Sequence, residues 1–265
     1  MRCCLVITTH ARPDALARVL TSLASQSEWP DETIVAEDGR DPPTAALVAE
    51  FAAGAPRPVH HVSQDHCGFR AGRIRNRAIA RSGADYVILI DGDMVMQRQF
   101  IADHLAAARP GFYSQGVRIL LDGGATSALM GNGSTTPGPL GRGLGFLRRS
   151  YALRAPQVSL KLRRLANRLI ATKACNQAFW KDDLLLVNGF DEAMKGWGSE
   201  DKELCARLDN AGARRQTLLF SAIAFHLEHP AEPRESAASN KSRWLETVRS
   251  GRRRCEIGID AHIPR

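Results

Sequence analysis

The first 120 residues alternate between short apolar runs and longer segments with apolar residues at helical spacing. Four runs have the length of strands: 3–7, 32–37, 59–64 and 86–90. Three segments between them have apolar residues at helical spacing: 13–24, 42–54 and 70–83. Because strands that alternate with helices favour a mostly parallel sheet with right-handed crossovers, the sequence predicts an α/β fold.

Polar residues directly follow three of the predicted strands. Thr8 to Arg12 follow the first strand, Asp38 ends the second, and the segment Asp91-Gly92-Asp93 ends the last. In parallel α/β sheets, ligands bind at the carboxyl ends of the strands. The pattern therefore predicts a nucleotide-type site at this edge of the sheet.

The pair of carboxylates in Asp91-Gly92-Asp93 raises an electrostatic question. Two acids one residue apart repel each other in a buried site unless a positive charge lies near them. A divalent cation such as Mg²⁺ or Mn²⁺ prefers oxygen ligands, which substrate phosphates often complete. Gly92 allows a tight turn between the acids. On this motif alone, both a metal site and an ordinary strand end remain open.

The second half is less regular. Residues 121–146 are rich in Gly, Pro, Ser and Thr and predict a loop. Residues 158–170 predict a helix whose apolar face contains Val158, Leu162, Leu165 and Leu169. A bend over 179–192, a helix that ends at Gly212 and a strand within 217–230 follow. The polar segment 248–265 predicts a loosely attached end of the chain.

The net charge of +8 is concentrated in one segment. Between Gly123 and Lys181 there is no acidic residue, and ten basic residues occur: Arg142, Arg148, Arg149, Arg154, Lys161, Arg163, Arg164, Arg168, Lys173 and Lys181. This basic block predicts contact with an anionic acceptor or an anionic membrane surface. A solvated face or a polyanion-binding surface is the alternative, although few aromatic residues accompany the charges, which argues against a single-strand nucleic-acid binder.

Cysteine usage and hydropathy indicate a cytoplasmic protein. The six cysteines, at 3, 4, 67, 175, 205 and 255, form no CxxC pair and predict buried free thiols in a reducing compartment. No apolar run approaches the ~20 residues of a membrane span. The amino terminus becomes polar at Thr8, too early for a signal peptide.

A second group of candidate site residues lies between 196 and 229. Glu200 and Asp201 follow the bend Gly196-Trp197-Gly198 and predict the first turn of a helix, where carboxylates are favoured. Trp197 between two glycines predicts an exposed platform for a sugar ring. His226 and His229 end the last predicted strand.

Four ordered motifs resemble GT-A-fold glycosyltransferases of the family-2 type. They are LVITTHARPDALARVLTSLASQ, ETIVAEDG, GFRAGRIRNRAIARSGADYVILIDGDM and NGFDEAMKGWGSEDKELCARL. The last is similar to the carboxyl-terminal motif of chondroitin polymerases, polypeptide N-acetylgalactosaminyltransferases and β-1,4-galactosyltransferases. The resemblance covers roughly residues 3–120 and 172–230, while 121–171 matches nothing known.

The resemblance implies a metal-dependent inverting transfer of a sugar from a nucleotide-sugar, most plausibly a UDP-sugar, to a glycan or glycolipid hydroxyl. It implies a role for each candidate residue: donor binding by Thr8, His10, Arg12, Asp38, Arg75, Asp91 and Gly92; Mn²⁺ or Mg²⁺ binding by Asp93 and His226, with His229 in reserve; catalysis by Asp201 with Glu200; and acceptor binding by Trp197 and Gly198. Bacterial surface polysaccharide or lipopolysaccharide synthesis is the implied setting.

The predicted organisation is one catalytic domain over 1–230, followed by a basic tail over 231–265. Within the domain, 1–120 binds the nucleotide-sugar, 121–171 is a variable basic loop and helix, and 172–230 holds the acceptor and the catalytic acid. The expected partners are the donor, the acceptor and the inner face of the cell membrane, not nucleic acid. A nucleotidyltransferase is the nearest alternative, but its usual Gly-rich triphosphate loop is absent from TTHARPD.

Overall fold

The structure, a computed structural model, describes residues 1–131, 150–169, 171–230 and 233–263. Arg142, Arg148 and Arg149 of the basic block lie outside these residues, as do the side chains of Arg163, Arg164 and Arg168.

A mostly parallel sheet forms the centre of the molecule. Its strands are β1 (Cys3–Thr9), β2 (Glu32–Glu37), β3 (Val59–Ser63), β4 (Tyr86–Asp91), β6 (Phe112–Gln115), β8 (Asn176–Trp180) and β9 (Arg214–Thr217). They lie in the order β3-β2-β1-β4-β8-β6-β9, and only β8 runs antiparallel to its neighbours. The predicted α/β fold with a mostly parallel sheet is therefore confirmed.

Helices cover both faces of this sheet. Their bounds are α1 (Pro13–Ala24), α2 (Pro42–Gly54), α3 (Ala71–Arg81), α4 (Phe100–Ala107), α5 (Gly123–Met130), α6 (Pro156–Leu169), α7 (Lys181–Val187), α8 (Glu200–Asn210) and α9 (Ala237–Ser250). Alternate residues of β1 enter different cores: Leu5 and Ile7 pack with α1, whereas Val6 packs with α3. A strand covered on both faces reads as a continuous apolar run, which is why CCLVI does not alternate.

A second, smaller sheet brings two distant parts of the site together. It contains β5 (Met94–Met96), β7 (Val117–Leu120) and β10 (Ile223–His226) in the order β5-β10-β7. Because β5 begins directly after Asp93 and its Met94 is paired with His226, the acid and the imidazole become neighbours.

Residues 179–192 do not form the predicted bend. They contain the end of β8 and then α7, which starts at the next residue without a loop and ends at Asn188 in the left-handed conformation. Strands β6 and β9 were not predicted either. Their buried residues are mostly polar, and they form hydrogen bonds with one another, as between Gln216 Nε2 and Ser114 Oγ at 3.0 Å.

Helix α6 lies where a helix was predicted, but it buries a different face. The predicted apolar face included Val158 and Leu165, which are 42% and 50% exposed. The buried residues are Ser159 and Ala166, and Leu162 is half-buried. The small side chains allow the helix to lie close to β9, so the larger apolar residues point elsewhere.

The segment 233–263 packs closely against the rest of the protein, and the prediction of a loosely attached end of the chain is wrong. Arg252 forms ion pairs with Asp191 at 3.4 Å and Glu203 at 2.9 Å, and Arg243 pairs with Asp191 at 2.8 Å. Ile259 is buried in the same core as α3. These buried acids lie outside the tail, so tail and domain neutralise each other's charges.

Five of the six cysteines are buried and free, as predicted, but Cys67 is exposed. Within the described residues, every helix is too short or too polar to cross a membrane.

Candidate active site

A cavity of about 1160 Å³ opens at the carboxyl ends of β1 and β4. The structure brings every sequence-predicted site residue to its wall: Thr8, His10, Arg12, Asp38, Arg75, Asp91, Gly92, Asp93, Trp197, Gly198, Glu200, Asp201, His226 and His229. The cavity exceeds the usual size of a small-molecule site and has room for two substrates.

Arg75 lies at the centre of the cavity floor. Arg75 belongs to α3 and is only 3% exposed. Its guanidinium donates to Asp91 at 2.8 Å and to Thr8 Oγ1 at 3.1 Å, and lies 3.6 Å from Glu200. These carboxylates explain why a buried arginine is tolerated at this position.

Asp93 faces several positive or potentially positive groups. Its Oδ2 lies 3.2 Å from Arg12 Nη1, 3.0 Å from His229 Nε2 and 3.7 Å from His226 Nε2. Burial alone would raise the pKa of Asp93, but the hydrogen bond from His229 and the positive charge of Arg12 oppose it, and the pKa is lowered. Asp93 is therefore an ionised acid, whereas burial lowers the pKa of His226 to about 4 and leaves that imidazole neutral.

The residues around Asp93 fit a divalent cation. Ligand atoms of Asp93, His226 and His229 lie within 4.8 Å of one another. The other carboxylate oxygen of Asp93, Oδ1, is buried and has no hydrogen-bond partner among the described residues. A buried carboxylate oxygen without a partner is costly unless something binds it. One carboxylate and two imidazoles form a donor set that Mn²⁺ accepts.

Gly92 is required by the close approach of two strands. A Cβ at this position would lie 2.9 Å from the side chain of Thr9 and 3.2 Å from the Thr8 carbonyl oxygen. The Gly92 amide donates to that same carbonyl at 2.7 Å. The glycine thus fixes the spacing between Asp91 and Asp93.

Glu200 and Asp201 begin α8 on the opposite side of Arg75. Burial, reinforced by the neighbouring charge of Asp201, raises the pKa of Glu200 to about 7. Burial also raises the pKa of Asp201, although backbone N–H groups of Lys202 and Ala174 donate to its carboxylate at 2.7 and 3.1 Å. These acids are poised to accept a proton at near-neutral pH.

Asp38 lines another part of the cavity wall. Its carboxylate accepts hydrogen bonds from the Arg70 amide at 2.6 Å and from Gln64 Nε2 at 2.7 Å. The rings of His10 and His66 stack with centroids 4.3 Å apart, and His10 Nδ1 lies 2.6 Å from the Asp38 carbonyl oxygen. Two exposed rings at this position offer a flat surface beside the acid.

Trp197 also lines the cavity and is 39% exposed. The guanidinium of Arg234 lies 5.3 Å from the centre of its ring, so the segment after residue 232 covers part of this platform. Gly198 has a φ of 117°, which residues with a side chain rarely adopt, and this conformation turns the chain into α8.

Several cavity residues were missed by sequence reasoning. They are His66, Arg118, Lys195, Lys202 and residues 233–237 with Lys241. Arg118 lies on β7, a strand that was not predicted, and residues 233–241 belong to the segment that was predicted only as a basic tail. Lys173 was counted in the basic block but not placed in the site.

Two family models match the chain. The model of glycosyl transferase family 2 matches residues 4–127, and the model described as the N-terminal domain of galactosyltransferase matches residues 157–230.

Relatives in sequence are two synthases of Pasteurella multocida. The chain is 25% identical to a hyaluronan synthase over 88% of its own length, and 24% identical to a chondroitin synthase over 92%. It spans 25% and 27% of those proteins, or about a quarter of their length.

Solved structures with the same fold are found among glycosyltransferases. Residues 1–349 of TarS from S. aureus in complex with UDP match with a TM-score of 0.64 and 16% identity, covering 99% of this chain and 68% of that one. Glucosyl-3-phosphoglycerate synthase from Mycobacterium tuberculosis, in complex with Mn²⁺, UDP and glucosyl-3-phosphoglycerate, matches with a TM-score of 0.56 and 16% identity, covering 95% and 80%. The chain is therefore similar to glycosyl transferase family 2 over residues 4–127, and it has the GT-A fold of glycosyltransferases.

Proposed function

We propose that this protein is a metal-dependent inverting glycosyltransferase that moves a hexose or N-acetylhexosamine from a UDP-sugar to a hydroxyl of a glycan or glycolipid. The observation that carries this proposal is the arrangement of one cavity, whose wall contains the cluster of Asp93, His226 and His229 together with Arg75, Glu200 and Asp201.

Mn²⁺ or Mg²⁺ would be held by Asp93 with His226 and His229, and it would supply positive charge that stabilises the departing phosphate. Two solved structures of the same fold contain UDP, one of them together with Mn²⁺, which supports this choice of donor and ion. Asp38, with the stacked rings of His10 and His66, supports a nucleoside at the other end of the cavity.

Asp201 is the proposed catalytic base. The acceptor hydroxyl oxygen attacks the anomeric carbon, the bond from that carbon to the phosphate oxygen breaks, and the hydroxyl proton passes to the Asp201 carboxylate. The backbone N–H groups of Lys202 and Ala174 hold this carboxylate in place. One direct displacement inverts the anomeric configuration, whereas retention by double displacement requires a nucleophilic carboxylate in addition.

The acceptor is proposed to be a glycan or glycolipid of a bacterial surface polysaccharide or lipopolysaccharide. Trp197, exposed at the end of the cavity nearest α8, supports the binding of a sugar ring. The similarity in sequence to a hyaluronan synthase and a chondroitin synthase supports a polysaccharide product.

A screen of nucleotide-sugars tests this function. We expect UDP-sugars to raise the melting temperature only when Mn²⁺ or Mg²⁺ is present, and one of them to be hydrolysed slowly without acceptor. GDP-sugars serve as the matched comparison. Stabilisation by nucleoside triphosphates but by no nucleotide-sugar would instead favour a nucleotidyltransferase, and stabilisation by polyanions alone would favour a polyanion-binding protein.

We further propose peripheral contact with the inner face of the cell membrane through α6. Leu153, Val158 and Leu165 are 42 to 52% exposed, and Lys161 on the same helix is exposed as well. The basic block without one acid gives this region the charge that anionic lipids attract. Sedimentation with vesicles that contain anionic lipid is expected, and it should weaken with salt. Equal binding to neutral vesicles, or none to either, contradicts the proposal.

A further inference from the structure

Most half-buried or buried cations that line the cavity have a partner. Arg12 pairs with Asp93, and Arg75 pairs with Asp91 and Glu200. The ammonium of Lys202 lies 5.1 Å from the centre of the Trp244 ring. Such partners account for these cations within the folded chain itself.

Arg118 and Lys173 differ from these cations. Both are half-buried in the cavity wall, and within the described part of the chain neither side chain forms an ion pair, a hydrogen bond or a contact with an aromatic ring. Two further cations without a partner there, Lys195 and Lys241, are exposed, so water satisfies them. The half-buried pair has less access to water, and the carboxylates whose charges act on it, Asp91 for Arg118 and Asp201 for Lys173, lie beyond ion-pair distance.

The two cations are also close enough to repel each other. Burial lowers the pKa of Lys173, and the charge of Arg118 lowers it further. The backbone of Lys173 cannot move away, because its amide donates to Gln115 Oε1 at 2.8 Å and its carbonyl accepts from Gln115 Nε2 at 3.2 Å. A buried glutamine thus holds this lysine in an electrostatically unfavourable position, which an anion would relieve.

Of the two cations, Lys173 lies near Asp201, the proposed base. Ala174, the residue after Lys173, donates its amide to the Asp201 carboxylate at 3.1 Å. Lys173 is therefore adjacent in the chain to a group that positions the proposed base. A group bound by this lysine would lie near the hydroxyl whose proton Asp201 receives.

We propose that Arg118 and Lys173 bind an anionic group, a carboxylate or a phosphate, that the acceptor carries beside its reacting hydroxyl. This inference rests on the proposed function, because it requires the Asp201 side of the cavity to receive an acceptor. A guanidinium and an ammonium suit both oxyanions: the planar fork binds two oxygens and the lysine adds a point charge.

A matched panel of sugars tests the pair. The native protein, saturated with UDP and the divalent ion that supports UDP binding, is titrated with methyl glucoside, with the same sugar bearing a carboxylate at carbon 6, and with the same sugar bearing a phosphate there. We expect at least one charged sugar to bind ~10–100-fold tighter than the neutral one. Comparing the two charged sugars distinguishes a carboxylate site from a phosphate site.

Arg118→Gln and Lys173→Gln should each reduce the preference for charged sugars, while UDP affinity stays within about threefold of the native value. Lys173→Arg keeps the charge and should retain most of the preference. Lys241→Gln removes an exposed cation from the same cavity wall and is the matched control, with the preference unchanged. Thermal unfolding of each variant verifies that it is folded.

Several results would overturn the inference. One is a native protein that binds UDP with metal but shows no preference for a charged sugar, whether it binds all three sugars equally or none of them. Another is a preference that survives in both glutamine variants. Loss of UDP affinity in these variants would instead assign the pair to the donor diphosphate. By contrast, a native protein that does not bind UDP with metal contradicts the proposed function itself.

Discussion

The cavity contains two pairs of neighbouring acids, and the groups that contact the two pairs differ. In the first pair, Asp91 contacts Arg75, while Asp93 contacts Arg12 and His229, so each carboxylate has its own cation. In the second pair, Glu200 shares Arg75 with Asp91, and Asp201 has only backbone N–H groups.

The difference appears in the proton affinities. The pKa of Asp93 is lowered, because the hydrogen bond from His229 and nearby positive charges overcome the effect of burial. Burial raises the pKa values of Asp91, Glu200 and Asp201, although Arg75 opposes this at Asp91 and Glu200. A group that binds a cation must be ionised at neutral pH, and a group that accepts a proton benefits from a raised pKa. The environment of Asp93 and that of Asp201, not the residue type, therefore separate their proposed roles.

The largest effect is expected from Asp93→Ala. The variant should show no measurable transfer and no metal-dependent UDP binding, because the cluster loses its only carboxylate. Titration of UDP with and without Mn²⁺ measures this loss. Asp65→Ala, which removes an 82% exposed carboxylate, is the control. If UDP binding by Asp93→Ala depended on Mn²⁺ as it does in the native protein, Asp93 would not be the metal ligand, and the two acid pairs would not have the distinct roles proposed here.

Asp201→Asn should affect turnover but not donor binding. Asparagine keeps the size of the side chain but cannot accept the proton, so turnover is expected to fall ~10²–10⁴-fold. UDP affinity should remain near the native value, because the first acid pair is intact. Steady-state kinetics and UDP titration measure the two quantities separately. Equal losses in both would indicate that Asp201 only stabilises the start of α8.

Removal of one imidazole should have an intermediate effect on metal binding. His226→Ala and His229→Ala should each weaken metal-dependent UDP binding about 10–100-fold, less than Asp93→Ala, since the ionised ligand remains. Mn²⁺ titration in the presence of UDP measures this. His60→Ala, on β3 and outside the cavity wall, is the matched control. If one histidine variant lost as much metal-dependent UDP binding as Asp93→Ala and the other lost none, the metal ligands would be Asp93 and only one histidine.

The smallest effect concerns the acid limb of the pH profile. Protonation of the second pair removes the base, so turnover should fall as the pH decreases through the raised pKa values, of which that of Glu200 is about 7. Glu200→Gln removes one of the two repelling carboxylates, so the midpoint of this limb should move to lower pH by about one unit or less. Glu246→Gln, an exposed acid, should leave the profile unchanged. A shift to higher pH would contradict the proposed coupling.

The amino-terminal half and the candidate site could be predicted from the sequence because both follow a simple pattern. Strands β1, β2 and β4 are mostly apolar and buried on both faces, and their ends carry the polar residues that converge on the cavity. His229 was predicted only as the second choice for the metal ligand, because nothing in the sequence tells which of two histidines near a strand end faces Asp93.

Other features could not be predicted from the sequence, because contacts with distant parts of the chain stabilise them. Strands β6 and β9 bury glutamine and serine residues that satisfy one another, so they lack an apolar pattern. Helix α6 buries serine and alanine because they allow close packing, although its leucines predicted another face. The segment 233–263 reads as polar because its arginines neutralise buried acids far away in the chain.

Asn76, in the first half of the chain, has its hydrogen-bond partners in the second half, so the first half cannot complete its core before the second half is synthesised. Its amide side chain donates to the Phe190 carbonyl and accepts from the Phe190 amide, both at 2.8 Å and across 114 positions of sequence. It also donates to Glu192, which lies 2.6 Å from His262. A nascent chain that has produced only the first half would leave this buried amide without partners and the core around α3 open. The segments matched by the two family models are therefore not separable folding units, and a fragment that ends before residue 190 is expected to aggregate rather than to bind a nucleotide.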